Sequence, residues 1–256
     1  MTDTESDYDL DSGPDPATLA ASAPEPEEDG GPRVRAVGIG PGNLDFLTPR
    51  GRRAIETADV VVGFETVVEF VADITDAELL TCGYRDEADT LATFAERVAD
   101  GQRGTAVLMG DPNHSGYQFV GKVEAVVDDP VRVIPGISSL QIAASRARTP
   151  MEDSEFVTLH KSGDLSPDLA RLRDAVGDRH LLVLPRPFDL MPGDLGAELL
   201  DAGGSADLET LVLERLTHDG ESITRTSLGE LAEHAGGSDP DDSPFSDLSV
   251  LVVRAT

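Results

Sequence analysis

A glycine-rich turn between an apolar run and a helix-forming segment constrains the fold of this chain more than any other feature. Residues 34–43 read VRAVGIGPGN, so a valine-rich run leads into three glycines around a proline. In the next segment, 48–58, Thr48 suits the N-cap and Pro49 suits the first helical position. A second apolar run follows at 60–62. This order predicts a strand–helix–strand crossover in a parallel sheet, with a ligand site at the carboxyl ends of the strands.

The turn differs from the fingerprint of dinucleotide-binding proteins. Its spacing is Gly-x-Gly-Pro-Gly, and Asn43 stands where the third glycine of G-x-G-x-x-G belongs. The second strand ends in Gly63 and Phe64, whereas NAD-binding folds place there an acid that holds the ribose. These differences disfavour NAD, and a nucleotide-dependent oxidoreductase stays as an alternative function. For the loop itself, the alternative is a plain strand-to-helix turn.

The charge of the chain limits its partners. The 256 residues include 49 Asp and Glu but only 20 Lys and Arg, which gives a formal net charge of −29. Phosphate backbones and anionic membranes require a basic face, so the sequence predicts small-molecule or protein partners, with no nucleic acid and no membrane. Lys122 and Lys161 are the only lysines. This acidic, lysine-poor composition is typical of halophilic proteins, in which salt screens the self-repulsion.

Targeting segments and cysteine chemistry are also limited by the sequence. The chain has no run of 18 apolar residues, and its acidic N-terminus carries no basic and apolar leader. The sequence therefore predicts neither a membrane span nor a signal peptide, and we expect a cytoplasmic protein. Cys82 is the only cysteine, which rules out an internal disulfide and predicts a buried thiol.

Composition and periodicity divide the chain into three parts. Residues 1–32 are nearly all acidic, small or proline residues without apolar periodicity, which predicts a disordered acidic tail. Strand and helix patterns alternate over 33–134 and predict a five-stranded α/β domain with a parallel sheet. Residues 135–256 predict a second α/β domain with a mixed sheet, in which 218–220 turns an antiparallel hairpin. The predicted fold class is α/β, with two domains and the active cleft between them.

Three of the predicted strands end in loops of small and polar residues. These loops are 38–43, 110–112 and 135–139, and the carboxyl ends of parallel strands lie at one edge of a sheet. A glycine followed by Asp111 and Pro112 lets a ligand approach the backbone closely. An Asp-Pro turn is the alternative there, and helix capping is the alternative role of the serines in the third loop. The convergence of the three loops favours a ligand site.

Two other chemistries find little support. The segment 136–140 reads GISSL and lacks the final glycine of the G-x-S-x-G nucleophile elbow, which disfavours a serine hydrolase. The five histidines lack the H-x-x-x-H and H-E-x-x-H spacings of zinc sites, so we expect no metal. His160 directly follows a predicted strand. We place it at the mouth of the cleft, with a structural role as the alternative.

Longer motifs carry a family resemblance. The chain reads GIGPGN, then LTPRGRRAIETADVVVG, then MGDP and IPGISSLQIAA, in that order. This set resembles the tetrapyrrole methylase family, whose signature reads GxGPGD, GDP and PG(I/V)(S/T)S. The segments FVTLHKS and LVLERLTHDGESI are further similar to two segments of its precorrin-7 C5-methyltransferases. The similarity covers about 33–254.

The resemblance implies S-adenosylmethionine as cofactor, a tetrapyrrole (a precorrin) as substrate, and methyl transfer to C5 of precorrin-7 or its cobalt form. It implies cofactor contacts from Pro41, Gly110, Asp111, Ser138, Ser139 and Leu184. It implies a substrate side formed by Gly38, Gly40, Gly42 and Asn43, to which we add His160. The arginines that could hold the substrate carboxylates include Arg50, Arg85 and Arg186. We assign no catalytic base, because positioning supplies much of the rate of such a displacement.

The chain departs from the family pattern in three places. Asn43 replaces an aspartate, Asn113 and His114 replace a glycine–aromatic pair, and Lys161 with Ser162 replaces Gly-Arg. These changes affect substrate contacts more than fold or cofactor. The alternatives are a methylase for another ring position and a non-catalytic tetrapyrrole carrier. We also expect a homodimer and a separate partner protein for C15 methylation and decarboxylation.

Overall fold

The computed structural model describes residues 13–14, 17–18, 34–114, 116–161, 163–187, 189–236 and 243–255. Contacts between residues divide the chain into two compact units, Met1–Ser138 and Ser139–Thr256. Each unit contains one five-stranded sheet. In the described part of the chain, no helix has both the length and the apolar character needed to cross a membrane.

The first unit alternates strands with helices. Its strands are β1 (Val34–Gly38), β2 (Val60–Phe64), β3 (Glu78–Cys82), β4 (Gly104–Leu108) and β5 (Val131–Ile134). Its helices are α1 (Pro49–Glu56), α2 (Glu65–Val71), α3 (Glu87–Ala99) and α4 (Tyr117–Val126), with 3₁₀ turns at Leu44–Phe46, Ala72–Ile74 and Pro112–His114. All strands pair in parallel in the order β3-β2-β4-β1-β5, which confirms the predicted parallel sheet.

The first crossover forms as its sequence predicts. Thr48 is the N-cap of α1, where its hydroxyl accepts a hydrogen bond from the Gly51 N–H at 3.0 Å, and Pro49 opens the helix. Side chains of β1 alternate between the two faces of the sheet: Ala36 packs in the cluster with α3 and α4, and Val37 packs in the cluster with α1 and α2. The sheet therefore lies between two layers of helices.

A buried ion pair joins α3 to α4. Lys122 Nζ donates to Glu87 Oε2 at 2.6 Å, and both side chains are less than a tenth exposed. Cys82 lies in the same apolar cluster and is buried, as predicted. Burial, with the nearby Glu87 carboxylate as a smaller cause, raises the pKa of the Cys82 thiol to about 12. The thiol is therefore protonated and unreactive in the folded protein.

Most of the predicted acidic tail, 1–32, lies outside the described residues. Gly13 and Pro14 are described, and both are buried. A Cβ on Gly13 would lie 2.7 Å from the carbonyl oxygen of Gln118 in the first turn of α4. This short stretch of the N-terminal segment thus packs directly against α4 within the first unit.

The second unit contains the mixed sheet. Its strands are β6 (Ser154–Thr158), β7 (His180–Leu184), β8 (Glu209–Glu214), β9 (Ser222–Ser227) and β10 (Ser249–Val253). Its helices are α5 (Ser139–Ala147), α6 (Ser166–Ala175), α7 (Pro192–Asp201) and α8 (Leu228–Ala232), with a 3₁₀ turn at Met151–Asp153. The order is β6-β7-β10-β8-β9; β6 and β7 are parallel and the other pairs antiparallel. The mixed sheet and the β8–β9 hairpin were both predicted, whereas α6 and α8 were not.

Leucines dominate the core of the second unit. Leu172 of α6, Leu195 of α7 and Leu228 of α8 are at most 1% exposed and belong to one apolar cluster with the sheet. Helix α7 also lies close to the segment that follows α8, because a Cβ on Gly193 would be 2.3 Å from the His234 carbonyl oxygen. Glycine is needed there to let α7 reach the chain that follows α8.

Candidate functional site

Three glycines meet where β4, β1 and β5 end side by side. A Cβ on Gly38 would lie 2.4 Å from the Gly110 carbonyl oxygen and 2.7 Å from the Gly136 nitrogen. A Cβ on Gly136 would lie 2.1 Å from the same Gly110 oxygen. Real Cβ atoms do not approach other atoms this closely, so only glycine fits at 38 and 136. The structure thus brings the three predicted loops together at one edge of the parallel sheet.

A pair of backbone hydrogen bonds ties the first loop to the second. The Gly110 N–H donates to the Gly40 carbonyl at 2.7 Å, and the Gly40 N–H donates to the Gly110 carbonyl at 3.3 Å. Both residues have a positive φ, +87° at Gly40 and +69° at Gly110, which glycine adopts without strain. Pro41 and Gly42 follow in the same turn and are buried. Two backbone hydrogen bonds therefore hold the loop after β1 to the loop after β4.

Gly110 leaves room for a ligand on one side. A Cβ placed there would have a single neighbour within 4 Å, the Ser138 Cα at 3.7 Å, in contrast to the crowded positions of Gly38 and Gly136. A side chain at residue 110 would fill this space. The backbone around Gly110 is thus exposed to a small molecule that a larger residue would exclude.

Two polar residues of these loops bond to their own loops. Asp111 Oδ1 accepts hydrogen bonds from the Asn113 backbone N–H at 2.7 Å and from Asn113 Nδ2 at 3.1 Å. Asn43 Oδ1 accepts from the Asp45 N–H at 2.9 Å and caps the short 3₁₀ turn. In this structure both side chains shape the turns that carry them. Their predicted roles toward cofactor and substrate remain predictions.

His114 joins the second loop to the third, and the sequence did not single it out as a site residue. Its Nδ1 lies 3.3 Å from Ser138 Oγ, and the Ser138 side chain is buried. Burial lowers the pKa of His114 below its ordinary value of 6.5, while Asp111 acts weakly in the opposite direction. A neutral imidazole therefore orients the Ser138 hydroxyl at neutral pH. The place of His114 in the GDPNH segment was the only sequence signal for this contact.

The second unit places two predicted site residues at the carboxyl ends of β6 and β7. Leu184 is the last residue of β7, and its carbonyl accepts the Leu159 N–H at 2.8 Å. His160 follows directly and is exposed. Ser139 is the first residue of α5 and of the second unit. The roles predicted for these three residues stay predictions.

Arg186 has a structural role at this end of the second unit. Its Nη2 donates to the carbonyls of Lys161 at 2.9 Å and Gly163 at 3.2 Å, and its Nη1 pairs with Asp189 at 3.1 Å. These bonds hold the loop after β6 against the loop after β7. The guanidinium is thus engaged within its own unit, and its predicted role in holding substrate carboxylates stays a prediction.

Two glutamates fix the chain around the β8–β9 loop, Glu214 at the end of β8 and Glu221 within the loop. Glu221 pairs with Arg146 at 2.7 Å and accepts the Thr217 N–H at 2.8 Å, while Glu214 accepts the Ser246 N–H at 2.8 Å. Thr217 has a φ of +71°, a left-handed conformation that costs energy in a β-branched residue. The contacts of Glu221 hold the loop in this conformation.

A comparison with known protein families identifies the family that carries these loops. The model of the family described as Tetrapyrrole (Corrin/Porphyrin) Methylases matches residues 33–232. The chain belongs to the tetrapyrrole methylase family. Membership confirms the predicted cofactor, because these enzymes take their methyl group from S-adenosylmethionine. The open backbone at Gly110 and the adjacent Ser138 hydroxyl fit a cofactor with a polar amino-acid end and a ribose.

Individual relatives come from several branches of the family. The chain is 29% identical to the "Probable cobalt-precorrin-7 C(5)-methyltransferase" of Methanocaldococcus jannaschii, over 86% of this chain and 97% of that protein. It is 23% identical to the cobalt-precorrin-4 C(11)-methyltransferase of the same organism, over 78% and 81% of the two chains.

Solved structures share the fold. The uroporphyrin-III C-methyltransferase of Thermus thermophilus, complexed with S-adenosyl homocysteine, superposes with a TM-score of 0.63 at 23% identity, covering 87% of this chain and 97% of that one. The precorrin-6Y methylase of Archaeoglobus fulgidus superposes with a TM-score of 0.61 at 21% identity, covering 87% and 98%. The two-sheet α/β architecture is therefore that of the family.

Proposed function

We propose that this protein is an S-adenosylmethionine-dependent C-methyltransferase of corrin biosynthesis that methylates C5 of precorrin-7 or of its cobalt form. The observation that carries the proposal is the cluster of Gly38, Gly110 and Gly136 in a chain of the tetrapyrrole methylase family. The match over 97% of the M. jannaschii C5-methyltransferase supports the choice of ring carbon. The resemblance of 156–162 and 211–223 to segments of that subfamily adds to this support.

In this proposal the chain binds and orients, and no side chain acts as a strong base. S-adenosylmethionine, when bound, supplies a methyl group on a positively charged sulfur. Gly110 gives the cofactor access to the backbone, and His114 holds the Ser138 hydroxyl in one orientation. Gly38 and Gly136 keep the three loops in contact, so that the reacting atoms are held at fixed positions. Accurate positioning of two reactants supplies a large share of the rate in such a displacement.

A labelling experiment tests both the activity and the ring position. The purified protein is incubated with S-adenosylmethionine carrying a ¹³C-methyl group and, in parallel, with cobalt-precorrin-7, cobalt-precorrin-4 or uroporphyrinogen III. Carbon NMR of the products should show a new methyl signal at C5 in the cobalt-precorrin-7 reaction alone. Label at another carbon, for example C11 of cobalt-precorrin-4, contradicts the C5 assignment and favours the alternative of another ring position. Incorporation into none of the three, and none into metal-free precorrin-7, contradicts the methyltransferase proposal.

Binding measurements separate this function from the two other classes. Calorimetry should show binding of S-adenosylhomocysteine and none of NAD, whereas tighter binding of NAD would favour an oxidoreductase. A tetrapyrrole carrier would bind the macrocycle without binding S-adenosylhomocysteine. We also propose that the protein works as a homodimer, beside a separate protein that performs C15 methylation and decarboxylation. Light scattering of the purified protein tests the first of these points.

A further inference from the structure

A concave site lies in the first unit, on the sheet face that α1 covers. It has a volume of about 480 Å³, and its lining includes Arg35, Arg50, Arg53 and Arg132, with Thr57 beside them. None of the described lining residues is acidic. The whole chain holds only 20 Lys and Arg against 49 Asp and Glu, so four arginines around one pocket are a marked local concentration of positive charge.

The strand register and the period of α1 place these arginines together. Arg35 of β1 is paired with Arg132 of β5 and with Thr105 of β4. The Thr105 hydroxyl donates to the Ala54 carbonyl of α1 at 3.3 Å, which shows that this row of side chains points toward α1. Arg35 and Arg132 are partly buried at the floor of the pocket, and α1 contributes exposed arginines at its rim. The site therefore follows from the sheet order, in which β5 is the edge strand next to β1.

One donor of Arg35, its Nη1, is buried and has no partner in the described part of the chain. Burial, followed by the positive charges of Arg103, Arg132 and Arg50, lowers the pKa of Arg35. The nearby Arg103, in contrast, has a carboxylate partner: its Nη2 and Nε donate to the two Asp59 carboxylate oxygens at 2.8 and 2.9 Å. An unsatisfied buried donor surrounded by like charges destabilises a fold unless a ligand of opposite charge occupies the site.

We propose that this arginine pocket binds a small multivalent oxyanion, either a polyphosphate or a polycarboxylate. Guanidinium groups bind both classes through paired N–H donors, and a multivalent anion can engage several of them at once. The pocket volume lies within the range of ordinary small-molecule sites. Arg35 precedes Gly38 by three residues, which along a strand is roughly 10 Å. The arginines at the pocket floor are therefore set apart from the glycine cluster, although Ile134 at the end of β5 also lines the pocket.

Calorimetry with two probe anions tests the proposal. Inorganic pyrophosphate and citrate are titrated separately into the full-length protein at about 0.2 M ionic strength, where non-specific attraction between charges is largely screened. We expect saturable one-to-one binding of at least one probe, and the preferred probe tells polyphosphate from polycarboxylate. The affinity should fall at least tenfold in Arg35→Gln and in Arg53→Gln. Without anion, Arg35→Gln should melt no lower than the wild type, because it removes the buried Nη1 donor that has no partner among the described residues.

A neighbouring arginine provides the matched control. Arg52 stands next to Arg53 on α1 but does not line the pocket, and it lies 3.9 Å from Glu56 in an exposed i,i+4 pair. Arg52→Gln removes the same charge and should leave the anion affinity unchanged. An equal loss of affinity in Arg52→Gln would overturn the proposal, since the effect would then be one of net charge. Failure of both probes to bind, or unchanged affinity in Arg35→Gln and Arg53→Gln, would also overturn it.

Discussion

Replacing Gly136 with alanine tests whether the contact of the three loops sets the geometry of the proposed site. The new Cβ would lie 2.1 Å from the Gly110 carbonyl oxygen and 2.7 Å from the Gly38 carbonyl oxygen. Both neighbours are backbone atoms, which no side-chain rotation can move away. Since real Cβ contacts shorter than 3.0 Å are essentially absent, the loops must separate by about 0.9 Å.

This displacement has an expected cost in stability and in activity. Overpacking of a well-packed region costs about 1–3 kcal/mol. In a chain of this size each kcal/mol lowers the melting temperature by roughly 2–4 °C, so we expect a decrease of roughly 2–12 °C. A misplacement near 1 Å reduces catalysis by about 100-fold, and we expect a loss of that order in kcat/KM for methyl transfer.

A glycine with free space serves as the control. Gly83 follows β3 in the same unit, and a Cβ there would meet only Asp86 Oδ1, at 3.5 Å. Gly83→Ala should therefore keep the stability within about 0.5 kcal/mol of the wild type. Melting curves of both variants, with radiolabelled methyl transfer at a temperature where each is folded, give the two readouts. A Gly136→Ala protein with wild-type stability and activity would refute the reasoning from backbone contact.

Four further changes test other features. Gly110→Ala forces a side chain into a φ of +69°, which costs about 1–2 kcal/mol, and by filling the open space it should weaken binding of S-adenosylhomocysteine in calorimetry. Lys122→Met leaves the Glu87 carboxylate buried without its ion-pair partner and should cost about 3–5 kcal/mol in urea unfolding, much of which Glu87→Leu added to it should restore. Burial holds the pKa of His114 below 6.5 in the folded protein, so the unfolded chain binds a proton at a higher pH than the folded protein does. The free energy of unfolding between pH 7 and 5 should therefore decline less in His114→Gln than in the wild type. With a net charge of −29, raising NaCl from about 0.1 to 2 M should raise the melting temperature, and a flat or falling profile would contradict the proposed halophilic adaptation.

The parts of the fold that were predictable from sequence are those in which local signals agree. In α1 the N-cap and the first proline fix the start of the helix, and the apolar runs of β1 and β2 fix the crossover that follows. The helix α6 (Ser166–Ala175) was missed, although Leu165, Leu169 and Leu172 follow a helical period and pack in the core of the second unit. It is stabilised by Leu172 in the core and by the pair of Lys161 Nζ with Asp168 Oδ2 at 2.8 Å, which depends on a tertiary contact.

In the candidate site, the meeting of the three loops was predictable from the sequence. Gly38, Gly110 and Gly136 stand at predicted strand ends, so the parallel sheet alone brings them to one edge. The contact between His114 and Ser138 joins residues 24 positions apart, and it depends on how two loops fold after their strands end. Neither hydrophobic periodicity nor residue spacing in the sequence predicts such a contact. The same limit applies to Asp111 and Asn43. The carboxylate oxygen of Asp111 and the amide oxygen of Asn43 accept hydrogen bonds within their own turns.

The arginines of this chain show how composition and structure constrain function together. Because the sequence supplies a large excess of carboxylates, most surface arginines can find one, as in the pairs of Arg97 with Glu78 at 2.8 Å and Arg146 with Glu221 at 2.7 Å. Composition alone therefore predicts that an arginine will be paired. Arg35 runs against that expectation: its buried Nη1 has no partner among the described residues, and it sits in a pocket whose described lining holds no acid. In so acidic a protein, the absence of carboxylates from that lining is the stronger indication that the counter-charge comes from a ligand.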